Sequence, residues 1–208
     1  MTLSDFEYMN QALCLALRGR GRTSPNPIVG AIVVSDGVVV GSGYHQEAGS
    51  PHAEVHALSA AGSAAKGATL FCTLEPCCHT GRTGPCVEQI VEFGIKRVVV
   101  AVEDPNPLVA GGGISFLRDQ GVQVEVGLCG REAFQVNRDF FTFIRYNRPF
   151  VTMKIALSID GYTTSKEGSR ATITSTTANR HAHLLRAEVD AIGVGSGTIV
   201  TDDPLLTA

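Results

Sequence analysis

The spacing of apolar positions changes repeatedly along the chain, and each change marks an element. From Ser4 to about Arg18, Phe6, Met9, Leu13 and Leu17 recur at helical intervals, and Ser4 followed by Glu7 forms a capping box. Cys14 inside this helix reads as a buried structural thiol. A turn-rich loop from Gly19 to Pro27 carries Arg20, Arg22 and Asn26. Two β-branched runs follow, Ile28–Ser35 and Val38–Tyr44, joined by Asp36-Gly37; both turn residues tolerate positive φ, so the pair predicts a hairpin. After His45 and a Gly-Ser-Pro loop, His52 opens an Ala-rich helix to about Ala65.

Ala68–Leu74 predicts a buried strand, followed by a cysteine-rich loop. Pro85 suits the first turn of a helix that continues from Cys86 to about Phe93. Lys96–Val102 predicts another buried strand, and Glu103-Asp104-Pro105-Asn106-Pro107 a turn. A helix near Ile114–Gln120, a strand at Val122–Val126 and one helix from Arg131 to about Tyr146 complete this block. Strands alternating with helices after an opening hairpin imply an α/β protein, a three-layer α/β/α sandwich with a mixed sheet. A boundary falls near Asn147-Arg148-Pro149, giving domains 1–147 and 148–208. Beyond it, Phe150–Ser158 is strand-like, Asp160-Gly161 a turn, Thr177–Glu188 helical and Ala191–Val194 a short buried strand. One strand–helix–strand unit cannot bury a core of its own, so this segment reads as the beginning of a second domain.

Composition narrows the classes. The chain of 208 residues is 44% hydrophobic and 18% charged, ordinary for a globular protein. A net charge of −3 argues against a general nucleic-acid binder, which shows a basic surplus, but leaves room for a phosphorylated small molecule. No apolar run reaches the roughly 18 residues of a membrane span. The opening Met1–Glu7 does not read as a secretory leader. Of the six cysteines, Cys77, Cys78 and Cys86 crowd into one loop, which fits metal binding in a reducing cytoplasm better than a disulfide framework.

The chemistry is carried by His52-Ala53-Glu54 together with Pro76-Cys77 and Cys86. A neutral imidazole and two thiolates hold three corners of a zinc tetrahedron, and the open corner takes water, whose pKa falls to about 7. A free carboxylate beside the metal, here Glu54, then carries protons. That is the ligand set of a zinc-dependent deaminase, although the general signature places two residues between its cysteines and Cys77 and Cys86 enclose eight. Cys78 is a competing ligand, and a structural zinc using Cys77, Cys78 or His79 with Cys86 is the rival reading; it leaves Glu54 without a role. Arg82 is suited to a substrate phosphate and His79 to a hydrogen bond with it, or the loop is simply solvated. Asn26 and His45 either face the pocket or serve as turn residues. Other deaminases, of cytidine, guanine or tRNA adenosine, use the same metal chemistry with the short cysteine gap.

Thr23-Ser24-Pro25-Asn26-Pro27-Ile28-Val29-Gly30, Gly43-Tyr44-His45, His52-Ala53-Glu54, Thr73 to Thr83 and Asp104-Pro105-Asn106-Pro107 resemble the bifunctional deaminase–reductase family of riboflavin biosynthesis. Lys154 to Gly161 and Asp202 to Thr207 extend the likeness over nearly the whole chain, and the eight-residue cysteine gap is that family's own spacing. The resemblance implies a cytidine-deaminase-like sandwich followed by the beginning of a dihydrofolate-reductase-like domain. It implies a pyrimidine deaminase acting on 2,5-diamino-6-ribosylamino-4(3H)-pyrimidinone 5′-phosphate, with Zn2+ on His52, Cys77 and Cys86, and Glu54 as proton shuttle. Asn26, His45, His79 and Arg82 would then hold the substrate. In the second domain, an NADPH-dependent reductase, Ala156, Thr198 and Asp202 match cofactor contacts, and Arg186 and Leu206 match substrate contacts. The family's reductase continues well beyond Ala208, and Arg170-Ala171-Thr172 departs from its usual residues. Homo-oligomers are expected, with no nucleic-acid or membrane partner.

Overall fold

The computed structural model describes residues 4–78, 84–107, 109–164 and 172–208. Ser4 caps helix α1 (Asp5–Ala16): its side chain accepts from the Glu7 N–H, and the Glu7 carboxylate accepts from the Ser4 N–H at 2.6 Å. The capping box is therefore present as expected. The buried face takes in Met9 and Leu13 of the expected apolar stripe but leaves out its two end members. Tyr8, Met9, Ala12, Leu13 and Ala16 are buried, whereas Phe6 and Leu17 are 57% and 43% exposed. Close approach to the first strand explains this face, because a Cβ added at Gly30 would lie 2.0 Å from the Ala12 carbonyl oxygen. The helix presses its alanine side onto that glycine and turns Cys14, expected to be buried, out to solvent.

Strands β1 (Gly30–Ser35) and β2 (Val38–Tyr44) form the hairpin, with positive φ at both Asp36 and Gly37 and Ser35 opposite Val38. Helix α2 (Ala53–Ala61) follows, shorter than expected because Gly62 ends it and a 3₁₀ turn takes over to Ala65. Then come β3 (Thr69–Cys72), α3 (Cys86–Glu92), β4 (Arg97–Val100), α4 (Gly112–Asp119) and β5 (Gln123–Val126). Helices α5 (Gly130–Val136) and α6 (Arg138–Tyr146) stand where one helix was expected. The break falls at Asn137 (φ −118°, ψ 21°), whose side chain leaves the helix to bond the backbone of Ile28.

The sheet order is β2-β1-β3-β4-β5, antiparallel across β2/β1 and β1/β3 and parallel across β3/β4 and β4/β5. Alternate residues of the central strands face opposite layers. Val33, Leu70, Val98 and Val100 pack with Ala57 and Leu58 of α2, Val87 and Ile90 of α3, and Leu117 of α4. Ile32, Phe71 and Val99 pack on the other side with Tyr8, Met9 and Leu13 of α1 and Ala133 of α5. Burying each large side chain stabilises by about 1.5–3 kcal/mol, so the two layers hold the helices to the sheet from both sides. This is the mixed-sheet α/β/α sandwich expected from the sequence.

The chain divides into two compact units that meet between Phe150 and Val151. The second contains α7 (Thr176–Ala187), capped by Ser175, and α8 (Ser196–Asp202). The strands expected at 150–158 and 191–194 are absent among its described residues. Val151, Met153, Ile155, Leu157 and Ile159 alternate as a strand would, yet all are exposed, and Ala182 is the buried apolar residue of this unit among those described. An extended segment without a hydrogen-bonding neighbour forms no ladder. No helix among the described residues is long and apolar enough to cross a membrane.

Candidate metal centre

The site forms where α2 and α3 begin, past the end of β3. Gly43 allows α2 to lie directly on β2, since a Cβ there would come within 2.5 Å of the Ala53 carbonyl oxygen. His52 sits at the N-cap of α2 with extended backbone (φ −72°, ψ 164°), and its side chain makes no capping bond. The ring turns instead toward two cysteines: Nδ1 lies 3.1 Å from Cys86 Sγ and 3.5 Å from Cys77 Sγ. Cys86 opens α3 and is buried; its N–H donates to Cys77 Sγ at 3.4 Å, and the Val87 N–H donates to the Cys77 carbonyl at 3.3 Å. The otherwise unpaired N–H groups of that first turn thus fix the Cys77 loop.

The three donor atoms lie within 4.8 Å of one another. Zinc bonds of about 2.0 Å to nitrogen and 2.3 Å to sulfur place tetrahedral ligand atoms roughly 3.5 Å apart, and the two His52–sulfur spacings lie close to that value. Cys78 is not part of the cluster. It packs with the apolar layer below the sheet, and a Cβ added at Gly112 would lie 2.9 Å from its sulfur. Hydrogen bonding from the Cys86 thiol, reinforced by His52, brings Cys77 down to about 4, so a thiolate is ready at neutral pH. The same contact with Cys77 holds the proton on Cys86, and the Cys77 contact raises the His52 pKa. A dication would displace these protons.

Glu54, on the first turn of α2, is 3% exposed. Burial pushes its carboxyl pKa up, opposed in part by the nearby His52. Beside it, Cys72 at the end of β3 donates to the Leu74 carbonyl at 2.8 Å, and burial holds its thiol protonated. A carboxyl group whose proton affinity is raised by burial, next to a metal-binding cluster, is suited to take and return protons.

Asn26 and His45 come together on the same side. His45 is buried, which pushes its pKa down. Its Nδ1 lies 3.3 Å from the Pro51 carbonyl and must carry the proton, which leaves Nε2 to accept from the Asn26 amide at 3.3 Å. The ring meets His52 edge-on at 5.6 Å. His79 and Arg82 lie outside the described residues, as do Arg170 and Ala171. In the second unit, Thr198 and Asp202 lie one turn apart on α8, and Ala156 lies in the extended segment. Arg186 donates to the Thr207 carbonyl at 2.7 Å, next to Leu206.

Sequence reasoning assigned no role to Cys72, Glu75 or Asn137. Glu75 had one visible signal, a carboxylate between a buried strand and a proline. Asn137 had another, a poor helix former placed mid-pattern.

A five-stranded mixed sheet carrying a His/Cys/Cys cluster with a buried glutamate defines the zinc-binding deaminase class. The model of the cytidine and deoxycytidylate deaminase zinc-binding region matches residues 3–102, and that of the RibD C-terminal domain matches residues 149–208. The riboflavin biosynthesis protein RibD of Aquifex aeolicus is 53% identical over 98% of this chain and 57% of its own length; that of Escherichia coli is 49% identical over 99% and 56%. The solved structure of Acinetobacter baumannii RibD superposes with a TM-score of 0.92 at 44% identity, over 97% of this chain and 57% of that one. A Thermotoga maritima diaminohydroxyphosphoribosylaminopyrimidine deaminase/5-amino-6-(5-phosphoribosylamino)uracil reductase gives 0.90 at 40% identity, over 96% and 57%. The chain is similar to these RibD proteins over nearly all of its own length, and it spans a little over half of theirs.

Proposed function

We propose that residues 1–147 form a zinc-dependent deaminase domain that hydrolyses the exocyclic amine of 2,5-diamino-6-ribosylamino-4(3H)-pyrimidinone 5′-phosphate in riboflavin biosynthesis. The observation that carries this reading is the placement of a fully buried Glu54 beside His52, Cys77 and Cys86. Those three side chains would hold a zinc ion, which would supply a Lewis acid that lowers the pKa of water. Glu54 takes the proton that water gives up and delivers protons to the ring nitrogen and to the departing amine, so that amine plus water becomes ketone plus ammonia. Its raised pKa suits both halves of that transfer. Asn26 and His45 orient the base, and their mutual hydrogen bond fixes which edge of each is offered. His79 and Arg82, matched to the family motif, hold the base and the 5′-phosphate.

Residues 148–208 are assigned on the same footing to the first part of an NADPH-dependent reductase domain. There Ala156, Thr198 and Asp202 contact the cofactor, and Arg186 and Leu206 contact the ribosylaminopyrimidine. The match of this segment to the RibD C-terminal domain supports the assignment. We place the protein in the cytoplasm, a reading supported by six free cysteines, and expect a homo-oligomer from the resemblance to the family. The test is ammonia release from the phosphorylated pyrimidine by the zinc-loaded chain. Release that requires both zinc and Glu54 supports the reading; zinc binding without any ammonia contradicts it.

A further inference from the structure

Glu75 is 3% exposed, although it bears a carboxyl group. Its two oxygens accept four backbone N–H groups: Oε2 from Asp104 at 3.2 Å and Gly111 at 2.9 Å, Oε1 from Gly113 at 3.0 Å and Ile114 at 3.2 Å. Its own N–H donates to the Val102 carbonyl at 3.0 Å. One side chain therefore gathers the strand end, the Asp104 turn and the first turn of α4. Two residues further on stands Cys77. On the Pro76 side of it the contact with α4 is tight, since a Cβ at Gly113 would lie 2.0 Å from the Pro76 carbonyl oxygen. On the other side of the loop, Cys77 is held by the Cys86 and Val87 N–H groups. The Cys77 sulfur thus owes its position to two anchors, α3 and the Glu75 hub.

We propose that Glu75 is a positioning residue for the metal centre, fixing the Pro76-Cys77 backbone so that the Cys77 sulfur meets His52 and Cys86 at ligand spacing. The Asp104–Pro107 turn and the glycine pair Gly112-Gly113 belong to the same device: the turn presents one of the four N–H groups, and the glycines let α4 seat against the loop. A glutamine at 75 keeps one acceptor oxygen but points an NH2 group at two N–H donors, which drives the loop away. Supports of this kind are worth about 10–100-fold in metal affinity.

This inference rests on the zinc reading above, and zinc affinity in competition with a chromophoric chelator tests both separately. The Glu75→Gln chain should bind zinc at least about 10-fold more weakly than the parent, and Glu75→Asp, with shorter reach, should fall between them. The ligand-field bands of cobalt-substituted Glu75→Gln should also shift, showing a distorted sulfur set. If Glu75 only stabilises the fold, the metal-free variants lose stability but keep the parent affinity and cobalt spectrum, and the proposal is overturned. Should the glutamine variant not fold, the aspartate variant decides by the same two readings. A parent chain that binds no zinc overturns this proposal and the zinc reading together.

Discussion

Asn137 satisfies both backbone groups of Ile28, a residue 109 positions earlier: its amide donates to the Ile28 carbonyl and its oxygen accepts the Ile28 N–H, each at 2.8 Å. All four groups are buried. Ile28 lies two residues past Asn26, so the joint between α5 and α6 holds the loop that brings Asn26 to His45.

Replacing Asn137 by alanine leaves two buried backbone groups without partners, each costing about 1–3 kcal/mol. Chemical denaturation of Asn137→Ala should therefore show a loss of about 2–5 kcal/mol. In the surviving folded protein, KM for the pyrimidine should rise while zinc content stays at the parent level. A loss under about 1 kcal/mol would mean that other contacts hold the loop.

Glu54→Gln retains the side-chain volume in its buried slot but cannot accept a proton. Metal analysis should find the parent zinc content, and turnover should fall by at least about 10²–10⁴-fold. Retained ammonia release would remove Glu54 from the proton path.

The two neighbouring cysteines should separate cleanly. Cys86→Ser removes one of three converging donors, so zinc content after dialysis should drop sharply. Cys78→Ser changes a side chain packed under Gly112 in the apolar layer and should leave zinc content intact. The opposite pattern would favour a structural zinc held within the loop.

Arg97 ties three elements together, reaching Asp5 on α1 at 2.6 Å and Glu125 on β5 at 2.8 Å. The Arg97 hydrogen bond lowers the Glu125 pKa. A depressed folded-state pKa contributes stability above the ordinary glutamate value of 4.5, and that stability is lost as the pH falls through the lower folded value. Glu125 is exposed and Arg97 and Asp5 are only partly buried, so solvent screens both pairs and Arg97→Met should cost less than about 1 kcal/mol at neutral pH. Thermal melts between neutrality and acid should show a shallower acid decline for the variant than for the parent.

The features legible in the sequence are those decided within a few residues. The Ser4–Glu7 capping box, the Asp36-Gly37 turn and the order of strands and helices in the first unit depend on local backbone preference and alternation, and they fold as expected. The convergence of His52, Cys77 and Cys86 was legible because metal chemistry restricts residue type so severely. What escaped was set by distant contacts. Contact with Gly30 drew the Ala12 side of α1 onto the sheet and left Phe6 and Leu17 exposed, Asn137 broke a helix to serve Ile28, and Glu75 found donors some thirty to forty positions away. In the second unit the alternating pattern from Val151 to Ile159 marks a strand, yet no ladder forms among the described residues, because alternation alone does not supply a neighbour.

In the proposed centre one imidazole and two sulfurs, brought from three places in the chain, share a single metal. X-ray absorption at the zinc edge on the fully loaded chain tests it directly. One imidazole nitrogen at about 2.0 Å and two sulfurs at about 2.3 Å are expected. Three or four sulfurs, or a zinc without imidazole, would contradict it.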